Sequence, residues 1–453
     1  MVYSDLLFLL GVLPVSVLVS FFDKSTEYKN LILVLTSLAF FSWGKPFAVC
    51  LIFLTAVAEW ALGIWIEKLR NKGGKSLLPL LIDVIMNVAV LFLMTRFFLF
   101  LKEDAFGFAK YVISVGISFY VLRGFAYVYD VYKGNIKAEQ NVFCLLTYMC
   151  GYFFNVTGLA LRYGEIEPQI RDRKLSVYGI NDGLNHIVYG LGKSVIIASV
   201  LKTVGETCLE SKVFTVAGSW IGMISMAGFG YFLYTGFSDI SYGLARIYGF
   251  ELNKNYRDLT AKGLSDGVFC NLNKGVTDFI SELYSNIPSK IKLLGLPLIG
   301  GLVALWCRQT VTALLVGVVI GLIVLAEKTV LKGFFEKAPA VFRLVVTYLP
   351  AVVLVAGLVT EDYFTVLKGI VGIGTAELVT KTDGWAVLNN IFVIAIAGIM
   401  MLMPFIRKAK AELKDYSVMS VEKYGRVHLV KTIFTAIIFV VCIILITAGN
   451  VKL

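Results

Sequence analysis

The sequence predicts an all-α, polytopic membrane protein, a transmembrane bundle of about eleven spanning helices with additional re-entrant or interfacial ones. Three observations carry this. Of 453 residues, 58% are hydrophobic and only 16% charged, whereas soluble domains sit near half apolar and a quarter charged. Apolar runs of roughly the 20 residues needed to cross a hydrocarbon core recur along the whole chain. Between them, no polar stretch is long enough to give a soluble domain its surface, so residues 1–453 read as a single integral membrane domain.

Taken in order, the long runs lie near 4–22, 30–44, 47–66, 77–101, 184–201, 213–236, 290–306, 309–326, 340–360, 386–406 and 429–448, with shorter or interrupted ones at 108–129 and 141–161. The first has no preceding positive charge and no small-residue cleavage site before Asp23, so it reads as a retained helix. Neither end shows a targeting or lipidation motif. The segment from Gly236 to Ser289 is too charged to span lipid freely, and its helical apolar spacing suggests helices lying along the interface or lining a cavity.

The net charge of +11 comes from short basic loops, Lys68 to Lys75, Arg171 to Lys174 and Arg407 to Lys410. Such loops are cytoplasmic anchors and imply no nucleic-acid partner; the partner is the lipid bilayer. The seven cysteines are scattered in apolar surroundings without a C-x-x-C pair, and the two histidines, His186 and His428, are far apart. No metal site and no bound cofactor are expected, and the cysteines read as small core residues. No internal repeat is visible, which counts against a transporter.

Ionisable groups at membrane depth need a partner or a purpose. Arg123 and Asp130, and likewise Asp239 and Arg246, are seven residues apart on one helix face. That gap of about 10 Å is too long for a direct pair, so each charge contacts another helix or a polar cavity. Structural pairing and a substrate-facing role both remain open for them. Glu59, Asp83, Arg96 and Lys193 also fall in or near apolar runs, and Arg96 and Lys193 have stems long enough to reach the interface.

Residue order says more. Val115-Gly-Ile-Ser-Phe-Tyr120 followed by Tyr127-Val-Tyr-Asp-Val-Tyr-Lys-Gly134, then Gly158-Leu-Ala-Leu-Arg-Tyr-Gly-Glu-Ile-Glu-Pro-Gln169 and Gly190-Leu-Gly-Lys-Ser194, form a series. It continues in Tyr234-Thr-Gly-Phe-Ser-Asp-Ile-Ser-Tyr-Gly-Leu-Ala-Arg-Ile-Tyr-Gly-Phe250 and Leu358-Val-Thr-Glu-Asp-Tyr363. The series resembles the membrane-bound O-acyltransferase family, in the bacterial branch of alginate O-acetyltransferases and teichoic-acid D-alanyl transferases. The Tyr234–Phe250 stretch is similar to that branch's D-F-S-G-Y-S-D-x-A-x-G-x-A-x-L-x-G-F segment. The resemblance implies a ring of tilted helices around a tunnel in the bacterial plasma membrane. An acyl thioester, acyl-CoA or an acyl carrier protein, would enter from the cytoplasm. The acyl group would pass outward, through an exported SGNH-like transferase, to a cell-surface glycan. Tunnel candidates by this resemblance are Ser238, Asp239, Arg246, Asn273, Trp306 and Cys307, with Arg123, Asp130, Arg162 and Lys193 as structural polar residues.

The resemblance fails at both family histidines. Where W-R-x-W-H-x-S-L is expected, the chain reads Ser265-Asp-Gly-Val-Phe-Cys-Asn-Leu-Asn-Lys-Gly275, placing Leu272 or Asn273 at the histidine. Where G-L-W-H-G is expected, it reads Ala304-Leu-Trp-Cys-Arg-Gln309, placing Cys307 there. Acyl transfer to a hydroxyl needs a group that takes its proton; imidazole suits this at neutral pH, and an amide cannot do it. Cys307 could serve as a nucleophile only with a base or cation beside it. Three expectations follow: O-acylation of a surface polymer with rebuilt catalytic positions, a non-catalytic scaffold in a polymer modification or export complex, and a lipid-linked glycan transporter.

Overall fold

A computed structural model describes residues 5–449 apart from positions 24, 43–45, 75, 101–108, 212, 261, 289–291, 332, 334–337, 361–362, 376 and 412–420. Lys75, Glu361 and Asp362 therefore lie outside the described residues, as do the side chains of Arg96, Val115, His428 and Arg407 to Lys410. Among the described residues the regular structure is helical, apart from one isolated bridge between Thr215 and Glu377. The all-α class is borne out.

The helices are α1 (Leu13–Val19), α2 (Thr26–Ser42), α3 (Pro46–Asn71), α4 (Leu77–Phe100), α5 (Ala109–Lys133), α6 (Val142–Cys150) and α7 (Tyr163–Arg171). They continue as α8 (Val177–Leu209), α9 (Val216–Ile247), α10 (Lys274–Ser285), α11 (Lys292–Cys307), α12 (Val311–Thr329) and α13 (Ala340–Val359). The last are α14 (Tyr363–Ile370), α15 (Lys381–Leu388), α16 (Ile391–Ala411) and α17 (Val421–Thr447). Within the described residues the long apolar runs fall mainly on helices, that at 386–406 on the pair α15 and α16. Among the described residues, five stretches are long and apolar enough to cross a membrane, on α3, α8, α9, α12 and α13. The pair α15 and α16, bent by 67°, would make a sixth, and four other helices carry shorter apolar stretches.

Polarity is turned outside in. Ile85 and Val88 of α4 are 67% and 61% exposed, while Glu59 of α3, Asp83 of α4 and Arg123 of α5 are 0% exposed. A water-facing protein would reverse this, and a lipid-facing one requires it.

The chain clusters into two units, residues 1–187, 237–255 and 273–283 in the first and residues 188–236, 256–272 and 284–453 in the second. The first has an aromatic core. Phe8, Phe40, Tyr152, Phe153, Tyr248 and Phe250 meet edge-on, stacked or tilted, with ring centroids 5.1 to 5.9 Å apart in the contacts that link them. Tyr248 closes this core by a 2.6 Å hydrogen bond with Ser16. In the second unit, Leu264, Val268, Val316, Ala351, Leu354 and Tyr363 form one apolar cluster. There α11 and α12 form a hairpin so close that a Cβ on Gly300 would lie 2.3 Å from the carbonyl oxygen of Gly317. Small residues set that approach, as expected where lipid supplies no hydrophobic drive between helices.

The segment after Gly236 departs from the interfacial reading. Residues 236–247 continue α9, whose 32 residues reach about 48 Å at 1.5 Å per residue, well beyond a hydrocarbon core of about 30 Å. The polar Ser-Asp stretch is thus the far end of a helix long and apolar enough to cross a membrane. Only beyond it does the chain become irregular, before the short π-helical turn Leu264–Phe269 and amphipathic α10.

Candidate functional site

In the first unit, the stretch resembling the family's Arg-Tyr motif begins in a buried, unusual backbone. Gly158 has φ +67° and Ala160, a residue with a side chain, has φ +49°. Left-handed backbone at a non-glycine residue is uncommon and is held only where the surroundings over-determine it. Here the surroundings are two amides. The Thr157 carbonyl accepts hydrogen bonds from Asn255 Nδ2 at 2.7 Å and Asn273 Nδ2 at 3.0 Å.

Asn273 has a second duty at the start of α10. Its Oδ1 accepts the Val276 backbone N–H at 3.1 Å, and its carbonyl accepts that of Thr277, also at 3.1 Å. This is the N-cap arrangement, in which a short side-chain oxygen satisfies a free helix donor. Asn273, one of the two residues expected at the first family-histidine position, therefore works as a cap and as a clamp on the motif backbone. Leu272, the other register, belongs to the second unit and packs against its Leu264–Tyr363 cluster.

The loop leads into Arg162, which forms ion pairs with Asp130 of α5 and Glu282 of α10 and lies over the Phe279 ring at 4.7 Å. Phe279 in turn packs edge-on against Phe125 and Tyr129 of α5. Asn135 donates to Asp130 at 3.0 Å. The planar guanidinium suits this task because it can bridge two carboxylates at once. Asp130 is thereby paired with another element, as its position on the helix face required. Its neighbour Arg123 donates to the Tyr148 carbonyl and to Asn155 Oδ1, with its guanidinium 4.0 Å from the Tyr148 ring and 4.6 Å from that of Phe154. Among the described residues no carboxylate pairs with it; carbonyl and aromatic faces carry it.

The Ser-Asp stretch of α9 faces the start of α8. The two helices touch through Gly183 and Gly243, where a Cβ on Gly183 would lie 2.4 Å from the Gly243 carbonyl oxygen. One turn away, His186 Nδ1 stands 3.8 Å from Asp239 Oδ1, while its Nε2 is 3.8 Å from Asp182 Oδ1. Asp239 is paired with Lys254 at 2.8 Å, and Arg246 with Asp182 at 3.2 Å and Glu251 at 3.6 Å. The edge of His186 meets the Tyr242 ring at 4.8 Å. Ser238 is buried, and its hydroxyl has no hydrogen-bond partner among the described residues. Both charges of this helix, Asp239 and Arg246, thus have partners on other segments. His186 matches neither family-histidine position, and its place beside Asp239 has no signal in the sequence, where 53 residues separate the two.

Arg173, in the basic loop after α7, is buried against Phe250 at 4.3 Å and donates to the Tyr248 carbonyl and Asn30 Oδ1. Burial pushes its guanidinium down to about 10, still charged at neutral pH. Arg173, expected in a cytoplasmic anchoring loop, is a structural strut of the aromatic core.

In the second unit, Lys193 donates to the Tyr256 hydroxyl at 3.0 Å. Trp306 and Cys307 end α11 half-buried. Arg308, just past the helix, donates to the carbonyls of Leu358 at 2.8 Å and Thr360 at 3.1 Å. Its guanidinium is turned to these carbonyls of the second unit's chain.

No family model matches the chain. Curated relatives do. It is 26% identical over 261 residues to a protein named probable alginate O-acetylase of Pseudomonas fluorescens, covering 57% of this chain and 51% of the relative. Its counterpart in Pseudomonas putida is 25% identical over 267 residues, covering 57% and 55%. A peptidoglycan O-acetyltransferase of Helicobacter pylori is 24% identical over 295 residues, covering 56% of each chain. The chain spans about half the length of the curated relatives it matches. With these relatives added to the motif series, the chain is a homologue of bacterial O-acetylases of the membrane-bound O-acyltransferase type.

Proposed function

We propose that this protein takes part in O-acylation of a cell-surface polymer from within a bacterial cytoplasmic membrane. The observation that carries this reading is the fold of the Gly158–Gln169 stretch, buried from Gly158 to Leu161, in which Arg162 is clamped by Asp130 and Glu282 in the first unit. Relatives whose names specify alginate or peptidoglycan O-acetylation support it. In this reading the donor is an acyl thioester on coenzyme A or an acyl carrier protein. The outer acceptor is a glycan, reached through an exported SGNH-like transferase. Transfer breaks the thioester carbon–sulfur bond, forms an ester carbon–oxygen bond and moves the hydroxyl proton to a base. Asn273 cannot be that base, because an amide accepts hydrogen bonds but takes no proton near neutral pH. His186 has the right chemistry and sits at the Ser-Asp helix, beside Asp239.

A second reading is favoured by a specific observation. Both ends of the Asn273 amide are engaged in structural hydrogen bonds, as suits a member that scaffolds an export or modification complex without catalysing transfer. One experiment separates the two. Ester content of the host's surface glycans is compared between a deletion strain and strains restored with the natural protein, His186→Gln or Cys307→Ala. Loss of ester on deletion, restored by the natural protein and not by His186→Gln at equal membrane abundance, supports transfer with His186 as base. Failure of Cys307→Ala alone moves the chemistry to the thiol. Unchanged ester content on deletion sinks the acylation reading.

A further inference from the structure

The layer of α3, α4 and α5 in the first unit holds two carboxyl groups that the acylation reading does not use. Glu59 lies near the middle of the apolar stretch Val49–Asn71, and Asp83 faces it from α4 with Asn87 one turn on. Both acids are 0% exposed. Asn87 Nδ2 donates to Asp83 Oδ1 at 2.9 Å. Neither oxygen of Glu59, nor Asp83 Oδ2, receives a hydrogen bond of good geometry among the described residues.

Among the described residues, no cation pairs with either acid. From α5, Gly124 presses its backbone on the acid so closely that a Cβ there would lie 2.0 Å from Glu59 Oε1. Tyr120 and Tyr127 of the same helix are the other titratable groups that sense Glu59. The Tyr120 hydroxyl is shared with Thr55 and the Ile52 carbonyl, and that of Tyr127 accepts the Glu139 N–H. Arg123, also on α5, is directed at Tyr148 and Asn155. From α6, Cys150 is the titratable side chain beside Tyr120.

Two ionised carboxylates packed together in hydrocarbon, with the Asn87 amide as their donor and no cation, are not sustainable. Something positive must join them. A metal ion needs several oxygen ligands and room, whereas Gly124 closes one side, and no group of three or more acids, histidines or cysteines suits a metal among the described residues. A proton needs no cavity. We propose that Glu59 and Asp83 form a proton-binding site inside the membrane layer, in which one carboxylic acid donates its O–H to the other carboxylate. The proton comes from water and returns to it; no other bond changes. The site joins α3 to α4 and stands independently of whether the protein transfers acyl groups. Its place near mid-span is where intramembrane acids serve as proton stations.

The test is infrared spectroscopy of the purified full-length protein in lipid nanodiscs, reading the carbonyl stretch of protonated carboxylic acids. At neutral pH the natural protein is expected to show this band with or without sodium chloride, and Glu59→Gln and Asp83→Asn are each expected to lose or shift it. Absence of the band from the natural protein at neutral pH overturns the proposal, and this arm needs no variant to fold. A band that disappears on adding sodium also overturns it, because the occupant is then a metal cation. So does a band that both variants retain unshifted while keeping the natural helical circular dichroism.

Discussion

At the scale of single residues, Asn273 is where the family resemblance and the structure meet most sharply. Its carboxamide is used at both ends, as the cap of α10 and as a donor to Thr157. Replacement by alanine removes both, and loss of an N-cap alone costs about 1 kcal/mol. Asn273→Asp keeps the cap acceptor but turns a carboxylate oxygen toward the Thr157 carbonyl. If capping were the whole role, aspartate would be nearly neutral. Because the clamp on the motif backbone matters too, both variants are expected to destabilise, each by about 1–3 kcal/mol, read as midpoint shifts in detergent-solubilised thermal unfolding. Aspartate matching the natural protein would show the Thr157 bond to be idle. The sequence alone placed Leu272 or Asn273 where a histidine is expected; it could not show the clamp, because the Thr157 partner lies 116 residues away. The same holds for Arg123, Asp130, Arg162 and Lys193. That each needed a partner followed from charge in apolar surroundings, but which partner it found depended on tertiary packing.

At the scale of elements, the contact of α8 with α9 is made by backbone. A Cβ on Gly243 would lie 2.5 Å from the Gly183 carbonyl oxygen and 3.0 Å from the Ile187 backbone nitrogen, and neither backbone can give way cheaply. Alanine raises helix propensity by up to about 1 kcal/mol over glycine, so on propensity Gly243→Ala would stabilise. Overpacking of a tight interface costs roughly 1–3 kcal/mol, and here the clash is with main chain. Gly243→Ala is therefore expected to lower the thermal midpoint, and Gly243→Val to lower it further. A raised midpoint for the alanine variant would mean the helices are not held at this distance. The apolar runs made nearly every helix legible because a membrane helix needs an apolar surface along its length. The far end of α9 was not legible for the same reason. Ser238, Asp239, Ser241 and Arg246 depress local hydropathy, and the pairing of Asp239 with Lys254 and of Arg246 with Asp182 and Glu251 makes a continuous helix tolerable there.

At the scale of the whole molecule, the first unit carries two basic loops, after α3 and after α7, and its contacts tie them to one end. Arg70, in the last turn of α3, donates to the Val131 carbonyl near the end of α5 at 2.6 Å. Just beyond α5, the Ala138 N–H is accepted by Glu67 of α3 at 3.3 Å, and Glu139 pairs with Arg171 of α7 at 2.6 Å. The chain Arg70, Val131, Glu139 and Arg171 therefore joins both loops at one edge of the helix layer. Short basic loops are retained in the cytoplasm, so a shared edge makes their topology a single prediction. Lys72 and Lys174 are both exposed and serve as reporter positions. Lys72→Cys and Lys174→Cys, placed separately in the otherwise natural protein, are expected to resist a membrane-impermeant maleimide in right-side-out spheroplasts. Both should label above the background of the native cysteines once the cells are lysed. Labelling of both without lysis would invert the orientation and move the proposed entry of an acyl thioester to the other side. Labelling of one with protection of the other would break the shared edge, and with it the packing of α3, α5 and α7 on which the Arg162 clamp depends.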